Sequence, residues 1–231
     1  MSGAGSPPET RSERRRRRNR EALIQAAYDV VSRKGIDATT VHDITEEADV
    51  GLGTAYNYFP SKDDLILAAI EQSMDRLARR IETVTDTFDD PAQVFAYGVR
   101  TLMDTATADQ RWQWLMRRSE VIADAIYRCF GPYAMRDLLN AREAGRYRFD
   151  SAELTWRQAT WSIVGTSLAV CENKLSTEDL TEAVVNLLCM AGMDRVGAWQ
   201  VASRPRPLLP PAPDLTPDPT PAPAGRTDPA R

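Results

Sequence analysis

Apolar positions recur along this chain with the period of a helix, and no stretch alternates convincingly as a strand would. Leu23, Ile24, Ala27, Val30 and Val31 form one stripe in a helix expected from about Arg15 to Lys34, and Gly35 supplies its stop. Thr40 can cap a second helix, with Asp43 three residues on completing a capping box and Val41, Ile44 and Ala48 facing inward. A bend at Asp49 to Gly51 then precedes a short helix, Leu52 to Tyr58. Ser61 caps a fourth, with Asp64 at its third position, and Ile66, Ile70, Met74, Leu77, Ile81 and Val84 carry that seam far enough to join two halves.

Beyond it, Asp90-Pro91 reads as a cap followed by a first-turn proline, opening a helix through Leu102 and Met103. A short helix is expected around Gln110 to Arg118, then a longer one from Ser119 to Glu143 that Pro132 should kink and Gly145 close. Amphipathic stretches from Ala152 to Glu172 and from Thr177 to about Trp199 bring the total to about nine helices. The pattern predicts an all-α chain without internal repeats.

The ends break this pattern. Residues 1 to about 12 are rich in Gly, Ser and Pro, and residues 203–231 hold ten of the fifteen prolines, with almost no large apolar side chains to build a core. Both are expected to be disordered. The predicted organisation is a disordered basic arm at 1–18, a helix-turn-helix domain at 19–65 and a disordered Pro-rich tail at 203–231. Between them lies a bundle domain at 66–202, and the fourth helix continues to about residue 87 as a connector.

Composition narrows the chemistry. An apolar content of 42% and a charged content of 27% fit a globular protein, and no apolar run approaches the roughly 20 residues that span a bilayer. The N-terminus is charged where a signal peptide needs an apolar stretch, so a cytoplasmic location is expected. One histidine, and three cysteines without a CxxC spacing, leave nothing for a metal site or a Cys-His pair, and there is no Gly-rich phosphate loop. No catalytic residue, metal or cofactor is assigned. The net charge is −4, yet seven arginines fall between Arg11 and Arg20. With a Debye length of about 8 Å at physiological salt, a phosphate beside that arm feels the arm and little of the distant acidic surface.

Two short helices joined by a tight turn have the spacing of a helix-turn-helix, whose second helix enters the major groove. Ala55 and Phe59, four apart, should point at the core, which turns Gly53, Thr54, Tyr56, Asn57 and Tyr58 outward or to the margins. Gly53 lets backbone approach the groove floor, Thr54 can meet a base edge or a thymine methyl, and Asn57 can pair with adenine. Tyr56 and Tyr58 offer hydroxyls on rigid rings. Lys62 and Thr40, each at the start of a helix, suit phosphates, and Arg14, Arg15, Arg16, Arg17 and Arg18 add phosphate or minor-groove contacts. His42 either reaches the DNA or is simply solvated.

The run Thr40-Val41-His42-Asp43-Ile44, then Ala48-Asp49-Val50, then Gly53-Thr54-Ala55-Tyr56-Asn57-Tyr58-Phe59-Pro60-Ser61-Lys62-Asp63-Asp64-Leu65 resembles the N-terminal domain of the TetR family of transcriptional regulators. The resemblance covers roughly residues 20 to 70. It implies an all-α homodimer with a three-helix DNA-binding domain and a C-terminal domain for ligand binding and dimerisation. It further implies that Thr40, Thr54, Tyr56, Tyr58 and Lys62 occupy DNA-contact positions. Two departures stand out: Gly51 where the family often has a capping serine, and Ala55 where it often has leucine.

The C-terminal half carries no comparable motif. Leu154, Ile163, Val164, Leu168, Leu180, Val184, Leu187 and Leu188 give the last two helices more apolar surface than their own core needs. A two-fold four-helix interface, eased by Gly165, Ser167 and Ala169, is the expected use. Met103, Trp112, Trp114, Phe130, Tyr133, Trp156 and Trp161 are candidates to line a largely apolar ligand pocket. The expected function is a ligand-responsive regulator, a repressor that binds a quasi-palindromic operator as a dimer and is released by a small molecule. The alternative is a DNA-binding protein of the same fold that acts architecturally or under a partner's control, without a small-molecule ligand.

Overall fold

The computed structural model describes residues 10–108, 112–113 and 116–210. Nine helices lie among these residues: α1 (Arg11–Lys34), α2 (Val41–Glu47), α3 (Leu52–Tyr58), α4 (Lys62–Thr85), α5 (Pro91–Ala108), α6 (Ser119–Glu143), α7 (Ala152–Cys171), α8 (Asp179–Met190) and α9 (Arg195–Ala202). No described residue is in a strand, and no helix is long and apolar enough to cross a membrane.

Two hydrophobic clusters organise them. The smaller one gathers Leu23, Ile24, Ala27 and Val30 of α1, Ile44 of α2, Ala55 and Phe59 around α3, and Leu65 and Ala69 of α4. The larger one fills the bundle of α4 to α9, and Val31 reaches it from α1. Helix α4 serves both: Leu65 and Ala69 face the small cluster, while Ile66, Ile70, Met74 and Leu77 face the large one. One rigid helix therefore carries side chains of both cores, so a shift of α4 in the bundle is felt beneath α3.

Several expected boundaries are seen in detail. Thr40 and Asp43 close a reciprocal capping box on α2, Ser61 Oγ accepts the Asp64 N–H at 3.1 Å, and Gly35 and Gly145 take the positive φ that ends α1 and α6. Pro132 sits inside α6 and has no N–H to give the preceding turn. One turn earlier, the Tyr127 carbonyl takes the indole N–H of Trp156 at 3.1 Å.

Three expectations are corrected. The arm expected to be disordered through residue 18 is helical from Arg11, because Thr10 and Glu13 cap it: the Glu13 N–H donates to Thr10 Oγ1 at 3.2 Å and the Thr10 N–H to Glu13 Oε2 at 2.7 Å. The single helix expected over 177–199 is two, α8 and α9. Gly192 breaks it at φ +93, and Asp194 starts the next helix by accepting the Gly197 N–H at 2.9 Å. The helix expected around 110–118 falls partly outside the described residues; within it Trp112, Gln113 and Met116 are helical, and Arg117 and Arg118 form the turn and bend that end it.

The tail expected to be loose from residue 203 begins instead as a strap. Arg204 reaches Asp90 and Gln93 at 2.8 Å each, the Tyr97 hydroxyl donates to the Pro207 carbonyl at 3.0 Å, and Arg80 Nε donates to that of Pro210 at 2.7 Å. Composition marked the segment as coreless, but hydrogen bonds to α4 and α5 and the packing of Leu209 hold it. Residues 211–231 lie outside the described residues.

Candidate nucleic-acid interface

Helix α3 has seven residues and no side-chain cap, since Gly51 occupies its N-cap. So short a helix is marginal alone, and it is held from beneath. Ala55 and Phe59 are buried in the small core, and the Arg20 guanidinium lies 5.3 Å from the Phe59 ring centre. The opposite face is open: Tyr56 is 49% exposed, Asn57 is exposed, and nothing lies within 4 Å of where a Cβ on Gly53 would stand. Another chain's surface can therefore come against the α3 backbone at Gly53. Thr54 and Tyr58 are half-buried at the margins, and Leu52 adds an exposed apolar side chain that the sequence pattern did not single out.

The arginines of α1 divide by helical spacing. Arg16 and Arg20, four apart, turn toward α3, with the Arg16 guanidinium 5.9 Å from the Tyr58 ring centre. Arg11, Arg14, Arg15 and Arg18 share the other side and border one shallow groove with Ser12 and Asn19. Arg17 is exposed like its neighbours. An arm expected to trail is thus a cationic helix face beside α3.

The flanking turns are firmly built. Thr40 Oγ1 accepts the Asp43 N–H at 3.1 Å and Asp43 Oδ2 accepts the Thr40 N–H at 3.0 Å. The Lys34 ammonium donates to Asp43 Oδ1 at 2.8 Å; together these bonds hold the Asp43 carboxyl at about 2, Lys34 being the largest cause. As acceptor in the cap, the Thr40 hydroxyl still has its own O–H to donate outward. His42 is exposed on α2 beside Glu46, 3.5 Å from its carboxylate.

Lys62 differs most from expectation. Its ammonium donates to the carbonyls of Thr39 at 3.1 Å and Ile36 at 3.3 Å, tying the start of α4 to the loop between α1 and α2. The ammonium carries three N–H donors, which leaves one for a phosphate. Its first task is structural, a role for which sequence spacing gave no signal because its partners lie 23 and 26 residues away.

The pocket candidates scatter. A cavity of about 40 Å³ lies between α4, α5, α6 and α7. Phe130, Tyr133 and Trp156 line it; Met103 and Trp112 are buried in the same core without lining it; Trp161 is 51% exposed on the outer face of α7; and Trp114 lies outside the described residues. Sequence reasoning missed Gly98, whose lack of a side chain helps open the space, and Glu82, Thr85 and Asp137, which form a polar end with Arg136.

Comparison with known proteins fits this geometry. Residues 23–69 match the family described as bacterial regulatory proteins, tetR family, and residues 90–204 match the tetracyclin repressor-like C-terminal domain. The solved structure of RolR with resorcinol aligns with a TM-score of 0.78 at 28% identity, covering 85% of this chain and 99% of RolR. RolR without ligand aligns with a TM-score of 0.72 at 30% identity, over 82% of this chain and 100% of RolR. The HTH-type transcriptional repressor KstR of Mycolicibacterium smegmatis is 30% identical over 120 residues, 52% of this chain and 58% of KstR, so the match spans little more than half of that relative. With both domains matched and a relative at 30% identity aligned over its full length, the chain belongs to the TetR family of bacterial transcriptional regulators.

Proposed function

We propose that the protein is a homodimeric repressor that binds a quasi-palindromic operator through two copies of α3 and is released by a small, largely apolar effector. The observation that carries the DNA half is the open face of α3, with Gly53, Tyr56 and Asn57 outward over buried Ala55 and Phe59, beside the cationic face of α1. Paired copies about 34 Å apart would enter successive major grooves. Thr40, Thr54, Tyr58 and the remaining Lys62 donor would fix the register on phosphates and base edges. Arg14, Arg15 and Arg18 on the outer side of α1 would reach the neighbouring backbone.

The dimer is assigned to the outer faces of α7, α8 and α9, where Leu154 alone of the large apolar residues favoured by the sequence pattern stays exposed. Ile163, Val164, Leu180, Val184, Leu187 and Leu188 are spent in the protomer's own core. Leu154, Trp161, Met190, Val196 and Trp199 remain exposed, and Gly165 lies one turn beyond Trp161. A cavity inside the bundle, and the resorcinol bound by RolR, support a small-molecule input over an architectural or partner-controlled regulator.

Selection of bound sequences from random DNA tests the reading. An inverted repeat with half-sites about one helical turn apart is expected, and enrichment of a single unpaired half-site, or of none, would defeat it.

A further inference from the structure

The cavity is walled on most sides by hydrocarbon and rings: Ile81 of α4, Phe95 and Leu102 of α5, Phe130 and Tyr133 of α6, and Trp156 of α7. Several of its polar groups are committed, while the Tyr133 hydroxyl remains available. The Trp156 indole N–H is given to the Tyr127 carbonyl at 3.1 Å, and the Thr85 hydroxyl donates to the Glu82 carbonyl at 3.2 Å. Arg136 donates to Glu82 Oε1 at 2.5 Å through Nη1 and to Asp137 Oδ1 at 3.0 Å through Nε. The one guanidinium at this end is therefore shared between two carboxylates. Asp137 Oδ2 takes no hydrogen bond from the described residues; its side chain is 14% exposed, so this oxygen faces the open side of the space.

The geometry points to a neutral single-ring aromatic ligand that donates a hydroxyl to Asp137 Oδ2, with Asp137 as the residue that rejects carboxylate-bearing ligands. The inference rests on the ligand-released reading above and supplies the ligand class. Size favours a small ligand: about 40 Å³ is room for roughly three waters, which a single ring takes up with modest side-chain shifts. Charge narrows the class further. An anion would meet two carboxylates around a guanidinium already paired with both, and would also shed its water against a wall of rings. A hydroxyl donor satisfies the open oxygen at neither cost. Burial pushes the Asp137 carboxyl up despite Arg136, and Glu82 and Asp86 add to the rise. The fold thus bears a cost for keeping an acid here, as binding sites commonly do.

The test titrates the full-length protein with phenol, anisole and benzoate, read by calorimetry and by the shift in thermal midpoint. Phenol is expected to bind at least about tenfold more tightly than either, the worth of one hydrogen bond to a carboxylate. Asp137→Leu should abolish the preference for phenol over anisole while keeping the ring's affinity. If that variant does not fold, the wild-type series decides alone. Equal affinity for phenol and anisole, a preference for benzoate, or no phenol binding at millimolar concentration overturns the assignment. Phenol binding that leaves operator affinity unchanged upholds the site and defeats the inducer reading instead.

Discussion

Tyr56 and Lys62 separate two kinds of contribution at the residue scale. Tyr56 is half in solvent with its ring off the core, so Tyr56→Ala should weaken operator binding by about 1–3 kcal/mol, the usual worth of one base-edge contact, and leave the thermal midpoint almost unchanged. Lys62 holds two backbone carbonyls. Lys62→Met keeps the methylenes and removes the charge, so it should both lower stability by about 1.5–3 kcal/mol and reduce the salt slope of DNA binding by about one phosphate. Parallel melts and binding titrations over a salt series check the pair. A Lys62→Met protein with unchanged stability would show that the carbonyl contacts contribute nothing net.

Short helices and the strap depend on what they rest upon, which sets the predictions at the scale of elements. Asp90 is the knot of the strap: it accepts the Ala92 N–H at 3.0 Å, Arg146 through two bonds of 3.1 Å and Arg204 at 2.8 Å. Burial works to raise its carboxyl, but these donors outweigh it and hold the group below the ordinary carboxylate range. A depressed native pKa contributes stability that is present above the unfolded value of about 3.9 and is lost as pH falls through the native value. Asp90→Asn should therefore lower the thermal midpoint at pH 7, with the gap to wild type closing in melts carried down from about pH 4. A gap that stayed constant with pH would remove the carboxylate charge from the account. Between α8 and α9, Gly192 sits at φ +93 with a would-be Cβ 2.2 Å from the Arg148 carbonyl oxygen. Gly192→Ala should therefore cost more than the about 1 kcal/mol typical of a point substitution, as denaturant titration would read.

For the whole molecule, ion pairs lace α6 and its N-cap to α4 and to the loop after α1: Arg128 with Glu71, Arg136 with Glu82, and Arg118 with Asp37 in the loop that Lys62 also grips. The cavity end formed by Arg136 and Glu82 is thus tied directly to α4. A few kcal/mol of coupling would suffice for release, since about 1.4 kcal/mol is tenfold in affinity. In the proposed dimer, operator reading would need two copies of α3 held at fixed separation. Trp161→Glu on the exposed face of α7 should give a folded monomer by sedimentation and circular dichroism, with operator affinity reduced by at least about tenfold. A variant that stayed dimeric would move the interface off α7.

Local rules wrote the caps at Thr40 and Ser61, the stops at Gly35 and Gly145, and the outward face of α3 over Ala55 and Phe59. Each depends on neighbours within a turn or two, so sequence alone determined them along with the all-α class and the helix-turn-helix. Pairings distant in sequence were decided only by the tertiary structure. Lys62 is spent on carbonyls of an earlier loop, Arg204 and Tyr97 turn a proline-rich tail into a strap, and the bundle buries Ile163 and Val164 of α7 and the leucines of α8 that looked free for a partner while exposing Trp161. Periodicity tells which residues share a face but not what that face meets, so the cavity, its open Asp137 oxygen and the outer face of α7 emerge only once the helices pack.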